Sequence, residues 1–136
     1  GTGEGPLPSQ SMACGAVISL LDAQQSRQGH WWLPDAGCPQ HLASLLGSPL
    51  RTSGQPPRSW WELAAVFEPL RPLPASDAPL TTAGATYRYL ICLHRHGNRL
   101  SCWRRYPEAL GWQCRCGPMP VAQFIHRFNQ HLISPP

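Results

Sequence analysis

The spacing of hydrophobic residues in the first half of the chain predicts two short helices. One is expected over residues 13–25, where three apolar positions fall on one helical face and Gly29 follows as a left-handed end. These positions are Val17, Leu20 and Leu21. The second helix is expected after Pro39, which suits a first helical position, and before Gly47, which suits the position just past a helix.

Two further helices carry clearer signals. The stretch Ser59-Trp60-Trp61-Glu62 matches a capping box, in which the serine hydroxyl accepts from the third amide and the glutamate reaches back to the cap amide. Pro69 is expected to end this helix. After Pro120 apolar residues return at helical spacing and predict an amphipathic helix that covers one face of a sheet: Val121, Phe124, Ile125, Phe128 and Leu132.

Between these last two helices the pattern changes to that of strands. Residues 87–95 and 99–106 are rich in aromatic and long apolar side chains, and the turn chemistry of His96-Gly97-Asn98 predicts a β-hairpin. A third strand is expected over residues 112–116, which alternate large apolar with polar side chains. The segment therefore predicts a three-stranded antiparallel meander.

The register of the hairpin decides which side chains share a face, and two registers are open. A two-residue loop of Gly97 and Asn98 places Cys92 opposite Trp103. A three-residue loop places Cys92 opposite Cys102 instead, because a shift of one residue turns the side chains to the other face.

The order of these elements predicts one α+β domain over residues 13–133: short N-terminal helices, a three-stranded antiparallel β-meander and a C-terminal amphipathic helix. Residues 1–12 are expected to be a flexible linker or a cloning remnant, 69–82 a proline-rich connection and 134–136 a tail. No apolar stretch reaches the roughly 18 residues that a membrane helix needs. We therefore expect no membrane contact and an intracellular protein.

Charge is distributed unevenly along the 136 residues. Residues 1–85 hold four arginines against six acids, whereas residues 86–117 hold six arginines against Glu108 alone. The chain has no lysine, so all of its eleven basic residues are arginines, which offer planar cations that stack and bind anions through two donors. The predicted meander is therefore the basic part of the chain.

This basic meander is also aromatic, and the combination suits nucleic acid. Phosphates need fixed cations, and unpaired bases stack on aromatic rings or guanidinium planes. The predicted binding residues, with single-stranded nucleic acid or RNA favoured, are Arg88, Arg95, Arg99, Trp103, Arg104, Arg105 and Arg115. The alternative is that the aromatic residues belong to the core and the arginines are simply solvated.

Six cysteines raise two further interpretations. His94, His96, Cys102, Cys114 and Cys116 are zinc-ligand types, but their spacing does not match a structural zinc site, so no metal is expected. Cys102 can neighbour Cys116 across two strands, which leaves a disulfide as an alternative. The interpretation we favour is that Cys92, Cys102 and either Cys114 or Cys116 are small buried residues in a reducing compartment.

No catalytic signature is present. The motifs G-x-S-x-G, the phosphate loop and H-E-x-x-H do not occur, and the acids show no paired spacing. The chain is expected not to be an enzyme, and neither a cofactor nor a small-molecule substrate is inferred.

Two tryptophan pairs give the second functional hypothesis. Neighbouring aromatic residues on a helix point about 100° apart, so one member is expected in the core while the other can anchor a protein partner. The candidate partner-binding residues are Trp31, Trp32, Trp60 and Trp61. The sequence thus predicts a non-enzymatic module of a larger assembly that binds nucleic acid. The alternative is a protein-interaction or assembly domain anchored by these tryptophan pairs and by the proline-rich loops, and its partner can be a second copy of the chain.

Overall fold

A six-stranded mixed sheet forms the centre of the protein. The structure is a computed structural model that describes residues 15–35, 37–78, 84–106 and 111–129. The strands are β1 (Ala16–Asp22), β2 (Arg27–Leu33), β3 (Arg71–Pro72), β4 (Tyr87–His94), β5 (Gly97–Arg105) and β6 (Trp112–Met119). They lie side by side in the order β3-β2-β1-β4-β5-β6. Only β1 and β4 are parallel among these pairs, and they form the middle of the sheet.

Helices pack against one face of this sheet. They are α1 (Pro39–Leu46), α2 (Ser48–Ser53), α3 (Trp60–Phe67) and α4 (Val121–Phe128). Apolar residues of α1, α3 and α4 form one buried cluster with one face of the strands, including Leu46, Phe67, Phe124, Ile18 and Ile91. We call this the covered face. The open face is the opposite face, on which none of the described helices packs.

The six-stranded sheet corrects the predicted architecture of short N-terminal helices followed by a three-stranded meander. Residues 16–22 form β1 and not a helix. The helices cover one face of β1, and Leu73 and Ala85 pack on Val17 at the other face, so nearly all of its side chains are buried. An apolar run buried on both faces does not alternate, so its helical spacing was misleading.

Two other strands were missed. β2 contains Gly29, which was expected to end a helix but lies within the strand beside the Trp31 ring. A Cβ at Gly29 would meet that ring at 2.6 Å, so a larger residue here would require the Trp31 ring to shift. β3 lies inside the predicted proline-rich connection, where Arg71 and Pro72 pair with β2. A strand of two residues is too short to produce a periodic signal.

Several local predictions are confirmed. Helix α1 begins at Pro39, and α4 places Phe124 and Ile125 in the core. At α3 the capping box is formed: the Glu62 amide donates to Ser59 Oγ at 3.2 Å, and the Ser59 amide donates to Glu62 Oε1 at 3.0 Å. Strands β4, β5 and β6 form an antiparallel meander, but as half of the larger sheet.

Both predicted hairpin registers are wrong. The turn consists of Arg95 and His96, so that His94 lies opposite Gly97 and Cys92 lies opposite Arg99. Gly97 has φ +142, and it begins β5 instead of forming the turn. Pairing therefore starts two residues earlier than the glycine signal indicates.

Some predictions concern residues outside those described. The predicted N-terminal linker over residues 1–12, the tail over residues 134–136, Cys14 and Leu132 are in this group. Within the described ranges, no helix has the length and apolar character that crossing a membrane requires.

Candidate functional site

The open face carries a continuous row of side chains across all six strands. Strand pairing aligns one residue from each strand, because directly opposed residues point to the same face. From one edge to the other the row reads Arg71, Trp32, Val17, Arg88, Trp103 and Cys114. Arginines and tryptophans thus take four of the six positions, with Val17 between the two Arg–Trp pairs, across a surface about five strand spacings wide, roughly 24 Å.

Arginine–tryptophan pairs give this face its chemistry. The guanidinium of Arg88 lies 5.5 Å from the ring centroid of Trp103, and that of Arg105 lies 5.5 Å from the ring centroid of Trp112. Both distances lie within the range of cation–π attraction. Arg88 on β4 is exposed, and so is Arg99, which lies two residues before Ser101 on β5. The planes of the cations are thus held near aromatic rings at the surface.

The described strands contribute no acidic side chain to the open face. Asp22 is the acid of these strands, and it belongs to the covered side, where it pairs with Arg27 at 3.0 Å. The charges that these strands bring to the open face are therefore positive, and positive charge attracts polyanions.

The middle of this row is partly covered. Val17 is only 1% exposed because Leu73 and Ala85 pack over it, and the rings of Trp32 and Trp112 contact the same small cluster. These contacts hold the two rings at the surface of the sheet and limit their freedom.

Arg104 and Arg115 do not lie on the open face. The guanidinium of Arg104 lies 4.7 Å from the Tyr106 ring centroid and 5.4 Å from that of Tyr87. Arg115 is the extra residue of a bulge between β5 and β6, and its guanidinium donates to the Tyr106 hydroxyl at 3.2 Å. This hydrogen bond lowers the pKa of Tyr106 and raises that of Arg115. These two arginines form a separate group on the opposite side of the hairpin.

Arg95 lies in a third place, at the turn between β4 and β5. It lines a cleft that also contains Trp60 and Trp61. The seven residues predicted as one nucleic-acid surface are therefore divided. Four share the open face, two lie on the opposite side, and one lies at the end of the sheet. Strand alternation explains the division, because Arg104 and Arg105 are neighbours in sequence.

The four predicted partner-binding tryptophans are likewise separated. Trp31 points to the covered face, where its ring centroid lies 5.1 Å from that of Phe67. Trp32 points to the open face. Trp60 and Trp61 contact Arg27 at the start of α3, and Trp61 is 71% exposed. Of this set, only Trp61 presents most of its surface to solvent.

A hydrogen-bonded serine and histidine also lie on the open face, and sequence reasoning missed them. Ser19 Oγ lies 2.7 Å from His30 Nδ1, and His30 Nε2 lies 2.7 Å from Gln28 Oε1. Burial lowers the pKa of His30, so the neutral ring is favoured. Such a ring can accept a proton from a hydroxyl, but Ser19 is only 7% exposed. We interpret the group as a polar bridge between β1 and β2.

The cysteines do not form the alternative zinc site. Within the described ranges, no three or more of the histidine, cysteine and acidic side chains come close enough to hold a metal. Cys102 lies opposite Cys116 as the disulfide alternative required, but both are free thiols. Burial raises the pKa of Cys102 to about 12 and also raises that of Cys116, so both remain protonated at neutral pH.

Two further arginines, one on the open face and one in the cleft, were not predicted from the sequence. Arg71 joins the open-face row through a strand of two residues, and Arg27 joins the cleft through β2, which was not predicted. Only knowledge of the complete sheet would have placed them.

Comparison of the chain with protein-family models, with curated proteins and with solved structures gives no match.

Proposed function

We propose that the protein is a non-enzymatic module that binds single-stranded nucleic acid, DNA or RNA, on the open face of its sheet. The observation that supports this most is the cation–π pairing of Arg88 with Trp103 and of Arg105 with Trp112 on the open face. Unpaired bases stack on aromatic rings or guanidinium planes, and arginines contact phosphates.

A flat sheet face suits unpaired strands better than a double helix. Side chains of a sheet lie on a broad surface, whereas reading a duplex requires an element that enters a groove. Arg71 and Arg99 extend the positive charge beyond the two pairs. We therefore expect single strands to bind more tightly than duplexes of the same length.

The test is a fluorescence-anisotropy titration with short single- and double-stranded DNA and RNA at several salt concentrations. The variant Arg88→Glu/Arg99→Glu should lose single-strand binding, since both residues are exposed on the open face. The control is Arg51→Glu/Arg127→Glu, which makes the same charge change at exposed positions of α2 and α4. Unchanged binding by the first variant, or equal loss by both, would contradict the proposal.

Salt provides a second criterion in the same experiment. Binding of single strands should weaken as salt rises, with a logarithmic slope of about 0.7 for each phosphate neutralised. An interaction that hardly changes with salt would point to a protein partner instead.

The proposed setting is intracellular, which is supported by the five free thiols of the described cysteines.

Protein interaction remains the second candidate function, and one observation favours it. Trp61 is the exposed large hydrophobic residue of the described chain. Exposed tryptophans are frequent anchors of protein interfaces. If this residue mediates assembly, light scattering of the protein at increasing concentration should show self-association that Trp61→Ala abolishes.

A further inference from the structure

A second combination of cations and rings lies at the end of the sheet, on the side of α3. A cleft of about 390 Å³ is bounded there by the start of α3 and by the β1–β2 and β4–β5 turns. The residues that give it its chemistry are Arg27, Arg58, Trp60, Trp61 and Arg95. These come from separate elements, so the cleft is a product of the fold.

Arg27 fixes the position of the two rings. Its guanidinium lies 4.9 Å from the ring centroid of Trp60 and 5.2 Å from that of Trp61. The same guanidinium donates to Asp22 Oδ2 at 3.0 Å. Arg27 thus covers one side of the Trp61 ring, while 71% of Trp61 remains exposed. The cleft therefore presents an indole surface that is backed by a cation.

Two further arginines leave the cleft positively charged. Asp22 is the acid among the residues that line it, and its charge is offset by Arg27. The exposed guanidinium of Arg58 donates to the neutral Gln55 at 3.0 Å, and Arg95 is exposed in its turn. Glu62 lies nearby: its carboxylate accepts from the Ser59 and Arg58 amides and attracts the Arg58 cation, so it offsets part of the charge of Arg58, while Arg95 keeps the cleft positive.

We propose that this cleft binds a nucleoside monophosphate. The base stacks on the exposed surface of Trp61, and the phosphate contacts Arg58 and Arg95. Stacking on an indole and charge-assisted hydrogen bonds from guanidinium groups are the usual means of holding these two parts. A simple anion would leave Trp61 unused, and an uncharged ring would leave the arginines unused. The site is separate from the open face and does not depend on strand binding there.

The test is isothermal titration calorimetry with 5′-AMP, adenosine and inorganic phosphate as separate probes. AMP should bind with saturation, and the other two should bind more weakly because each makes only part of the contacts. Trp61→Ala should weaken AMP binding about 5- to 150-fold, which is the usual contribution of one stacked base. Because Trp61 is mostly exposed, this variant should remain folded, as circular dichroism will verify.

A charge variant and its control complete the experiment. Arg58→Gln/Arg95→Gln should weaken AMP binding about 10- to 150-fold or more, as expected for loss of a hydrogen bond to a charged group. Arg51→Gln/Arg127→Gln removes the same charge outside the cleft and should bind AMP normally. The proposal fails if AMP does not saturate, if phosphate binds as tightly as AMP, or if Trp61→Ala binds AMP normally. None of these results depends on oligonucleotide binding, so the failure of one proposal leaves the other standing.

Discussion

The covered and open faces of the sheet are made by alternate residues of the same strands, yet they differ in almost every property. On the covered face, Ile18 and Ile91 are fully buried under the helices. On the open face, Arg88 is exposed and Trp103 is half-buried, although Val17 and Ser19 beside Ile18 are buried. The covered face accounts for folding, because it holds the large apolar cluster. The exposed part of the open face is therefore available for function, and residues such as Arg88 and Arg99 can be changed there at small cost to stability.

The largest expected effect is a change in the free energy of unfolding, and it concerns two adjacent leucines of β1. Leu20 is fully buried on the covered face, whereas Leu21 is half-buried on the open face. Leu20→Ala should lower the free energy of unfolding by about 2–5 kcal/mol, because it leaves a cavity in the core. Leu21→Ala should cost about 1 kcal/mol, since less apolar area returns to water. Urea denaturation of both variants measures the difference, and equal losses would show that both faces are equally buried.

A buried hydroxyl on the covered face gives the second effect. Tyr89 donates from its hydroxyl to the Gly37 carbonyl oxygen at 2.6 Å, and the contact is buried. Tyr89→Phe should cost about 1–3 kcal/mol, because the carbonyl is left without this partner in a dry environment. Tyr106→Phe is the matched control: its hydroxyl accepts from Arg115 at the surface, where water can replace it. Loss of stability in Tyr106→Phe alone, measured by urea denaturation, would contradict this reasoning.

The difference between the two faces also explains which parts of the fold could be predicted from the sequence. The capping box at Ser59 and the amphipathic pattern of α4 are local signals, and both were interpreted correctly. β1 was interpreted as a helix because a central strand buried on both faces shows no alternation. Its parallel pairing with β4 joins segments about 70 residues apart, which no local pattern encodes. The composition of the chain therefore singled out the candidate arginines and tryptophans. Their assignment to one face or the other depends on the register of strand pairing, which the sequence did not reveal.

Arginines on opposite sides of the hairpin give the third prediction. Arg88→Gln should weaken single-strand binding and reduce the salt slope by about 0.7, the value for one lost phosphate contact. Arg104→Gln should leave oligonucleotide affinity unchanged, since Arg104 stacks on Tyr87 and Tyr106 away from the open face. Anisotropy titrations at several salt concentrations distinguish the two. Equal effects of both substitutions would mean that binding responds to total charge and not to the face.

The smallest expected effect is the response of His30 to pH. Burial lowers its pKa below the ordinary value of 6.5, so the unfolded chain takes up this proton at a higher pH than the folded protein. Above pH 6.5 both states hold a neutral ring, and the stability due to this residue is fully present. As the pH falls below 6.5 and through the lowered folded pKa, that stability is lost. Urea midpoints measured across this range should therefore fall at acidic pH.

Substitution identifies His30 as the source of this change. His30→Gln should flatten the decrease in the urea midpoint, because glutamine does not titrate, whereas His126→Gln at an exposed position of α4 should keep it. The hydrogen-bond partners of the His30 ring, Ser19 and Gln28, are uncharged, so the shift comes from burial and not from a neighbouring ion. A decrease that persists in His30→Gln would assign the titration to another group. If the decrease in the urea midpoint disappears in His30→Gln, the open face holds one polar group in a partly dry environment.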